Sequence, residues 1–458
     1  MPATGLSQTI AGFVAGQRFE DLPASTVTAA KRVLLDASGA IWAASGLAPE
    51  VEPFIALARS GGAGPCAILG TGHRASAPMA ALANGAMAHA IDYEDAFDRA
   101  PGHPNASLVP ALIALAQAEA PVDGRRLITA LAVGCEVSCR MGLALRRPME
   151  AGGWYPPPIL AGFGAVAGAA NLLGLSAGQV RDALSLMLCQ MTMPGEIKHS
   201  PTTVIRAVRE AFPAQAAVQS VLLARTGMAG FEAPLEGKSG FFALYAGGEY
   251  DPAELTRELG ESFLIEHLTF KPWPSCRGTH AAIELALDLR ERHRIDPARI
   301  ARITVECDGI QRMLVEPLPR KAAPANAIDA KFSIPFTCAL ALVRGRVGLD
   351  DFDADALHDP AILGLAARIV PVVCEIAARQ PGSGGALRIE FDDGRVVAGE
   401  VANARGCPER TLAMHDQIAK FVACLARARE PRDAEQATAL AGAILSIDRH
   451  PAAGALFA

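Results

Sequence analysis

The chain lacks an excess of basic charge. Its 458 residues carry 42 Lys and Arg against 48 Asp and Glu, a formal net charge of −6. No general cationic surface exists to neutralise nucleic-acid phosphates. It also lacks paired cysteines: ten are spread from Cys66 to Cys424 without a CxxC, and the nearest two, Cys135 and Cys139, sit on an apolar segment. That usage suits buried thiols in a reducing, intracellular setting rather than a disulfide framework. The N-terminal MPATGLSQTIAGFVAG has neither a basic start nor a long apolar core. No signal peptide is expected, and the chain is placed in the cytoplasm.

Several catalytic signatures are missing as well. No GxGxxG follows a strand, no phosphate loop ends in GK[ST], and neither GxSxG nor HExxH occurs. Dinucleotide, nucleotide-phosphate, serine-hydrolase and zinc-peptidase chemistry lose their usual support. Residues 151–180 contain no Asp, Glu, Lys or Arg, a length that suffices to cross a bilayer. However, Pro156, Pro157 and Pro158 interrupt its start, and Gly162, Gly164, Gly168, Gly174 and Gly178 punctuate the rest. A buried helix, not a membrane span, is expected.

What is abundant is alanine at helical spacing. Apolar stripes predict two helices within 1–47, then helices over 51–59, 78–91, 107–119, 124–143, 159–173, 178–190 and 204–228. CAILG at 66–70 reads as a brief strand. Pro110 reads as a mark of the start of the helix that contains it. Near Gly260 the pattern changes. Residues 263–270 and 299–307 turn to β-branched and aromatic side chains; 299–307 reads as a strand, and 386–401 as a hairpin turning at Asp393-Gly394. Helices are predicted between them, over 279–293 and 332–345, and a helical tail over 411–447. The fold class is therefore mostly α with a smaller α+β domain. The expected division is a large helical domain over 1–262, an α+β domain over 263–402, and a segment over 403–458 that returns to the first.

The chemistry concentrates in four polar knots. In residues 84–112, NGAMAHAIDYEDAFDRAPGHPNASLVPAL, a helix over 80–92 places His89 and Asp92 on one face. Gly102 and Pro104 bracket His103 in a turn that presents its imidazole. A His on a tight loop beside an Asp suits an oriented general base, here His103 with Asp92. The competing reading is a solvated helix end rich in acids. In FKPWPSCRGTH, residues 270–280, Lys271, Arg277 and His280 surround a helix start that Thr279 is placed to cap. That arrangement suits a carboxylate. In 193–212, Lys198 lies in a loop and Arg206 and Arg209 follow on a helix. In 329–342, Lys331 and Ser333 precede an apolar helix.

These knots resemble the MmgE/PrpD family. The resemblance is carried by HAIDYED at 89–95, GHPNASLVPALIALAQAE at 102–119, LAGFGAVAGAANLLGLS at 160–176, GMAGFEAPLEGKSGFF at 227–242, KPWPSCRGTH at 271–280 and KFSIPFTCALAL at 331–342. It covers nearly the whole chain. It implies a homodimer of two-domain subunits that works on a polycarboxylate without metal or organic cofactor. The family's activities include 2-methylcitrate dehydration, cis-aconitate decarboxylation and iminodisuccinate epimerisation. By motif, Asp92, His103, Lys198 and Lys271 match positions implicated in catalysis or binding, and Arg277, His280, Tyr155, Arg206 and Lys331 are placed around the substrate. Two positions depart. The aconitate-processing members carry His where this chain has Tyr155, and Tyr where it has Phe336. A phenol is a much weaker acid than an imidazolium, and Phe336 has no proton to give. A lyase on a di- or tricarboxylic acid is the first expectation, and an epimerase on the same class the second.

Overall fold

The uncharged run becomes a helix, Pro156–Leu173, in the computed structural model, which describes residues 5–119, 121–200, 203–375 and 378–458. Its prolines open the helix rather than break it, because first-turn N–H groups have no intrahelical partner to lose. Gly174 closes it at φ +66°, its N–H turned back to Ala170 and Asn171. The helix packs against Gly124–Ala144, which starts behind Asp123, whose side chain accepts from the Arg126 N–H. The close approach needs glycine on both sides. A Cβ on Gly164 would lie 2.5 Å from the Gly134 carbonyl oxygen, and one on Gly134 would lie 2.7 Å from that of Gly164. Both helices are long and apolar enough to cross a membrane, yet 94% and 89% of their most apolar windows are buried inside the fold.

The structure divides into two units. The first comprises Met1–Ala90, Glu94–Leu268 and Ala413–Ala458; the second comprises Ile91–Tyr93 and Thr269–Leu412. The boundaries thus fall after Leu268 and Leu412, where the sequence placed them after 262 and 402. The first unit is helical. Pro104–Ala118 and Ala211–Arg225 pack on the central pair, Ala77–Ala90 packs on those two, and Met414–Leu425 and Ala434–Leu445 return to pack on Ala24–Leu47. A short ribbon, β1 (Cys66–Ile68) against β2 (His73–Ala75), lies in the same unit. Two helical expectations need correction here. Pro110 sits inside Pro104–Ala118, and the residue that opens the helix is Pro104, directly after His103. The predicted helix over 204–228 is broken into Ile205–Val208 and Ala211–Arg225, with Arg209 and Glu210 at the break.

The second unit is built on a four-stranded sheet, β3 (Ile300–Cys307), β4 (Ile369–Val373), β5 (Gly385–Phe391) and β6 (Val396–Val401), in the order β4-β3-β5-β6. β3 runs parallel to β4 and antiparallel to β5. β5 and β6 form the expected hairpin, with Gly394 at φ +83° in the turn. Helices His280–His293 and Ile334–Arg344 pack on each other, and the first also covers β5 and β6. β4 escaped the sequence reading because Pro371 interrupts it. It is an edge strand, where a missing N–H is tolerated. Residues 263–270 are not a strand: Leu264–His267 is a single 3-10 turn, and the Leu264 N–H donates to Glu136 Oε2 at 2.5 Å instead of to a neighbouring strand.

Candidate active site

The helix that carries His89 stops at Ala90, and Asp92 adopts φ +52°. Aspartate tolerates this left-handed conformation better than most residues, at a cost of about 1–2 kcal/mol. The turn undoes the helical spacing that would put His89 and Asp92 on one face. It brings Glu94 back beneath the imidazoles instead. Glu94 Oε1 lies 2.5 Å from His89 Nδ1 and 2.9 Å from His103 Nδ1. The two rings meet edge to face with centroids 4.9 Å apart. Nor is this a solvated acidic end, since Asp92, Glu94 and Asp95 are all fully buried.

His103 caps the helix Pro104–Ala118, and its loop is closed by the Phe97 N–H donating to the Gly102 carbonyl at 3.1 Å. Its Nδ1 also lies 3.1 Å from the Asp95 carbonyl oxygen. A carbonyl only accepts, so Nδ1 carries the hydrogen and the basic lone pair belongs to Nε2. Asp95 is itself held through its carboxylate by Asn105 Nδ2 at 2.8 Å. The carboxylate placed against His103 is thus Glu94, where the sequence had pointed to Asp92. Its signal was the second acid of HAIDYED, which becomes meaningful only once the turn at Asp92 is known.

Asp92 belongs with the second unit. Lys271 Nζ donates to its carboxylate and, at 3.1 Å, to its backbone oxygen. Both side chains are wholly buried. Tyr93 adds a hydrogen bond from its hydroxyl to the Pro272 oxygen at 3.2 Å. An ammonium inside a protein needs such a partner, since an unpaired buried charge costs several kcal/mol.

In the first unit a second group of charges surrounds Tyr155. Lys198 Nζ lies 5.1 Å from the ring centroid and 3.2 Å from Glu150 Oε1. Arg206 and Arg209 place their guanidinium carbons 5.8 and 5.2 Å from the same ring. Arg209, which the sequence placed on a helix without a role, is fully buried against Glu210.

Residues 8–253 match the MmgE/PrpD N-terminal domain and residues 273–444 the MmgE/PrpD C-terminal domain. The chain belongs to the MmgE/PrpD family. A cis-aconitate decarboxylase-like protein of Aspergillus oryzae is 27% identical, over 88% of this chain and 87% of that protein. A cis-aconitate decarboxylase of Aspergillus terreus is 25% identical, over 97% of this chain and 94% of its own length. A 2-methylcitrate dehydratase of Salmonella typhimurium is 26% identical, over 78% of this chain and 77% of its own length. Decarboxylase and dehydratase are both lyase activities.

Other positions singled out by the family motifs are engaged within the second unit. Arg277 donates to the backbone oxygens of Arg405 and Ala404 and to Asn403 Oδ1, at 3.0, 2.8 and 2.9 Å. It clamps a loop with the fork that was expected to grip a carboxylate. Lys331 Nζ donates to the Pro274 oxygen at 3.2 Å and lies 3.8 Å from the Phe352 ring centroid. Thr279 does not cap the following helix through its side chain; its hydroxyl donates to the Cys276 oxygen at 2.8 Å. Phe336 is core, fully buried near Phe352.

His280 is buried edge-on to Trp273, with Nε2 donating to the Ser275 oxygen at 3.1 Å. Burial, reinforced by Arg277 and Lys271, holds its imidazole well below the ordinary 6.5 and keeps it neutral. Below about pH 6.5 the unfolded chain takes up a proton that the folded chain refuses. Stability from this residue is therefore present above pH 6.5 and is lost as the pH falls. For one such group the slope grows as the pH falls below 6.5, toward a ceiling of about 1.4 kcal/mol per pH unit. His280→Gln retains a donor for Ser275 but cannot titrate, so urea melts across that range should show a correspondingly shallower pH dependence. An unchanged slope would remove His280 as its source.

The group His89, Glu94 and His103 also brings one donor atom from each residue within 4.8 Å of the others. Such a donor set can take a divalent cation, but zinc would need bonds of about 2.0–2.2 Å to each. Here Glu94 Oε1 already stands at hydrogen-bond distance from both Nδ1 atoms.

Proposed function

We propose that this chain is a cofactor-independent lyase that acts next to a carboxylate of a di- or tricarboxylic acid, removing water or CO2. The observation that supports this most is the fixed tautomer of His103. With Nδ1 committed to Glu94 and the Asp95 carbonyl, Nε2 is the base. The imidazolium formed when Nε2 takes a proton faces the Glu94 carboxylate, which stabilises it. In dehydration, the proton leaves the carbon beside a carboxylate and the electron pair moves into that carboxylate. The β-hydroxyl then departs as water with a proton from the enzyme. In decarboxylation, His103 starts protonated at Nε2; the C–C bond breaks with loss of CO2, the electron pair it leaves is delocalised into a remaining carboxylate, and the imidazolium gives its proton to carbon and ends neutral. Both routes build negative charge on carboxylate oxygens, which a cation stabilises more than it stabilises the ground state. Lys271, fixed by Asp92, and Lys198 are assigned that role. The family reading also makes the working form a cytoplasmic homodimer, which sedimentation at assay concentrations would test.

An epimerase is the second reading. Phe336 lies in the core and has no proton to donate, and epimerisation needs no acid for a leaving group. One experiment separates the two. The protein, dialysed against EDTA, is incubated with a panel of di- and tricarboxylic acids in deuterated water and followed by NMR. Net formation of an alkene or a decarboxylated acid supports the lyase. Deuterium entering substrate without loss of water or CO2 supports the epimerase. Silence toward every acid, with or without added metal, removes both, and activity only on metal addition removes cofactor independence.

A further inference from the structure

His89 is a buried titratable group to which the reaction above gives no work. Its side chain is wholly buried, whereas that of His103 is 15% exposed, so of the two imidazoles only His103 is open to an incoming acid. His89 stands one residue before the end of the helix Ala77–Ala90. That helix is held closely by its neighbours. A Cβ on Gly85, one turn before His89, would lie 2.6 Å from the Glu210 carbonyl oxygen and 2.9 Å from the Ala214 side chain, where the helix Ala211–Arg225 approaches. The same helix packs on Pro104–Ala118, which His103 caps. Both imidazoles are thereby borne by the ends of packed helices.

Glu94 has no such support from its own backbone. It lies in the irregular segment between the two helices, two residues after the left-handed Asp92. A glutamate side chain is long and rich in rotamers, so aiming it at one ring costs entropy unless something holds it. Its Oε1 is held between the rings, 2.5 Å from His89 Nδ1 and 2.9 Å from His103 Nδ1. An ionised carboxylate only accepts, so both imidazoles carry a hydrogen on Nδ1 and both N–H groups converge on one oxygen. The edge-to-face contact of the rings, with centroids 4.9 Å apart, brings the two donors together. His89 is the fixed end of this arrangement: it is helical, dry and the nearer of the two to the oxygen. Without its N–H, Glu94 keeps its charge but loses the anchor that aims Oε1 at His103.

We propose that His89 is a positioning residue: its Nδ1–H anchors the Glu94 carboxylate so that Oε1 stays on His103 Nδ1 and steadies the imidazolium formed in the reaction. This rests on the reading of His103 as the base of a lyase or epimerase. His89 acts through Glu94 and touches no substrate. The role needs its donor and no change in its own charge.

The test compares substitutions of the full chain that separate filling space from donating. H89F keeps a ring and most of the buried volume but has no donor. H89N is smaller, yet its amide nitrogen stands where Nδ1 does. A residue that only fills the core would tolerate phenylalanine better than asparagine. The positioning role predicts the reverse for activity: kcat falls about 10–100-fold in H89F, with KM within about twofold, and stays within about threefold of wild type in H89N, as expected for one hydrogen bond to a charged group. If H89F does not fold, H89Q takes its place, because its amide nitrogen stands at Nε2 instead. A second readout needs no turnover. Proton NMR follows the His103 Nδ1–H, identified by its loss in His103→Gln; it should move upfield in H89F and hold its place in H89N. Combined with Glu94→Gln, H89F should cost much less than it does alone, because it acts through Glu94. An unchanged kcat in H89F, equal losses in H89F and H89N, or losses that multiply with Glu94→Gln overturns the role. If wild type turns over an acid while H89F keeps both its kcat and the resonance, the role fails and the proposed activity stands. If the resonance moves in H89F alone but wild type turns over no acid, the role stands and the proposed activity fails.

Discussion

His103→Gln should leave a folded protein that has lost about 10²–10⁴-fold in kcat, the usual contribution of a positioned general acid or base. The substitution is chosen for what it keeps. A glutamine amide can still donate toward Glu94 and the Asp95 carbonyl, the two acceptors that hold the imidazole. It has no lone pair able to take a proton at neutral pH. The His103 side chain is 15% exposed and sits at a helix cap rather than in the packed core, so the melting temperature should change little. Glu94→Gln is the companion. It removes the negative charge shared by both imidazoles but leaves the base in place, so kcat should fall with KM nearly unchanged, and by less than in His103→Gln. The readout is solvent deuterium exchange into substrate alongside product formation. Exchange in His103→Gln at the wild-type rate would remove His103 from the mechanism. Equal losses in the two variants would mean that Glu94 does more than orient.

The helical half of this fold was legible because its signal is periodic. Alanine and leucine at helical spacing found Gly124–Ala144 and Ala77–Ala90 nearly to the residue. What escaped depended on contacts distant in sequence. β4 contains Pro371 and is recognisable only beside β3, where Val305 pairs with it. Residues 264–267 have the composition of a strand but are held by Glu136 from another helix. The site shows the same division. His103 was legible from Gly102 and Pro104, which are local turn chemistry. Glu94 was not, because its role follows from one left-handed residue at Asp92, and no nearby glycine announced that turn. Arg206 and Arg209, three residues apart, share a face whether or not the helix is continuous, but nothing local to them shows that Tyr155 is the ring they meet.

Lys271→Met should destabilise the second unit by about 3–5 kcal/mol, because it leaves the Asp92 carboxylate buried without its ammonium. For a unit of this size that corresponds to a fall in melting temperature of roughly 6–20 °C. Asp92→Asn should be costly for the mirrored reason, since the buried Lys271 ammonium would lose the carboxylate charge that faces it and keep a neutral amide in its place. Asparagine is the proper replacement at that position because it accepts φ +52° almost as readily as aspartate, whereas alanine would add backbone strain. The double variant Lys271→Met/Asp92→Asn removes both charges together. Replacing a whole buried pair with neutral groups is far cheaper than breaking it, so much of the lost stability should return, with a coupling energy of about 1–3 kcal/mol in the cycle. Activity should not return with it, because the cation assigned to the developing enediolate is gone. A stable but inactive double variant would separate the two duties of Lys271, holding the Ile91–Tyr93 segment and stabilising charge in the reaction. A Lys271→Met protein that melts with wild type would show that the pair is solvated in solution. An active double variant would leave Lys271 with a structural role alone.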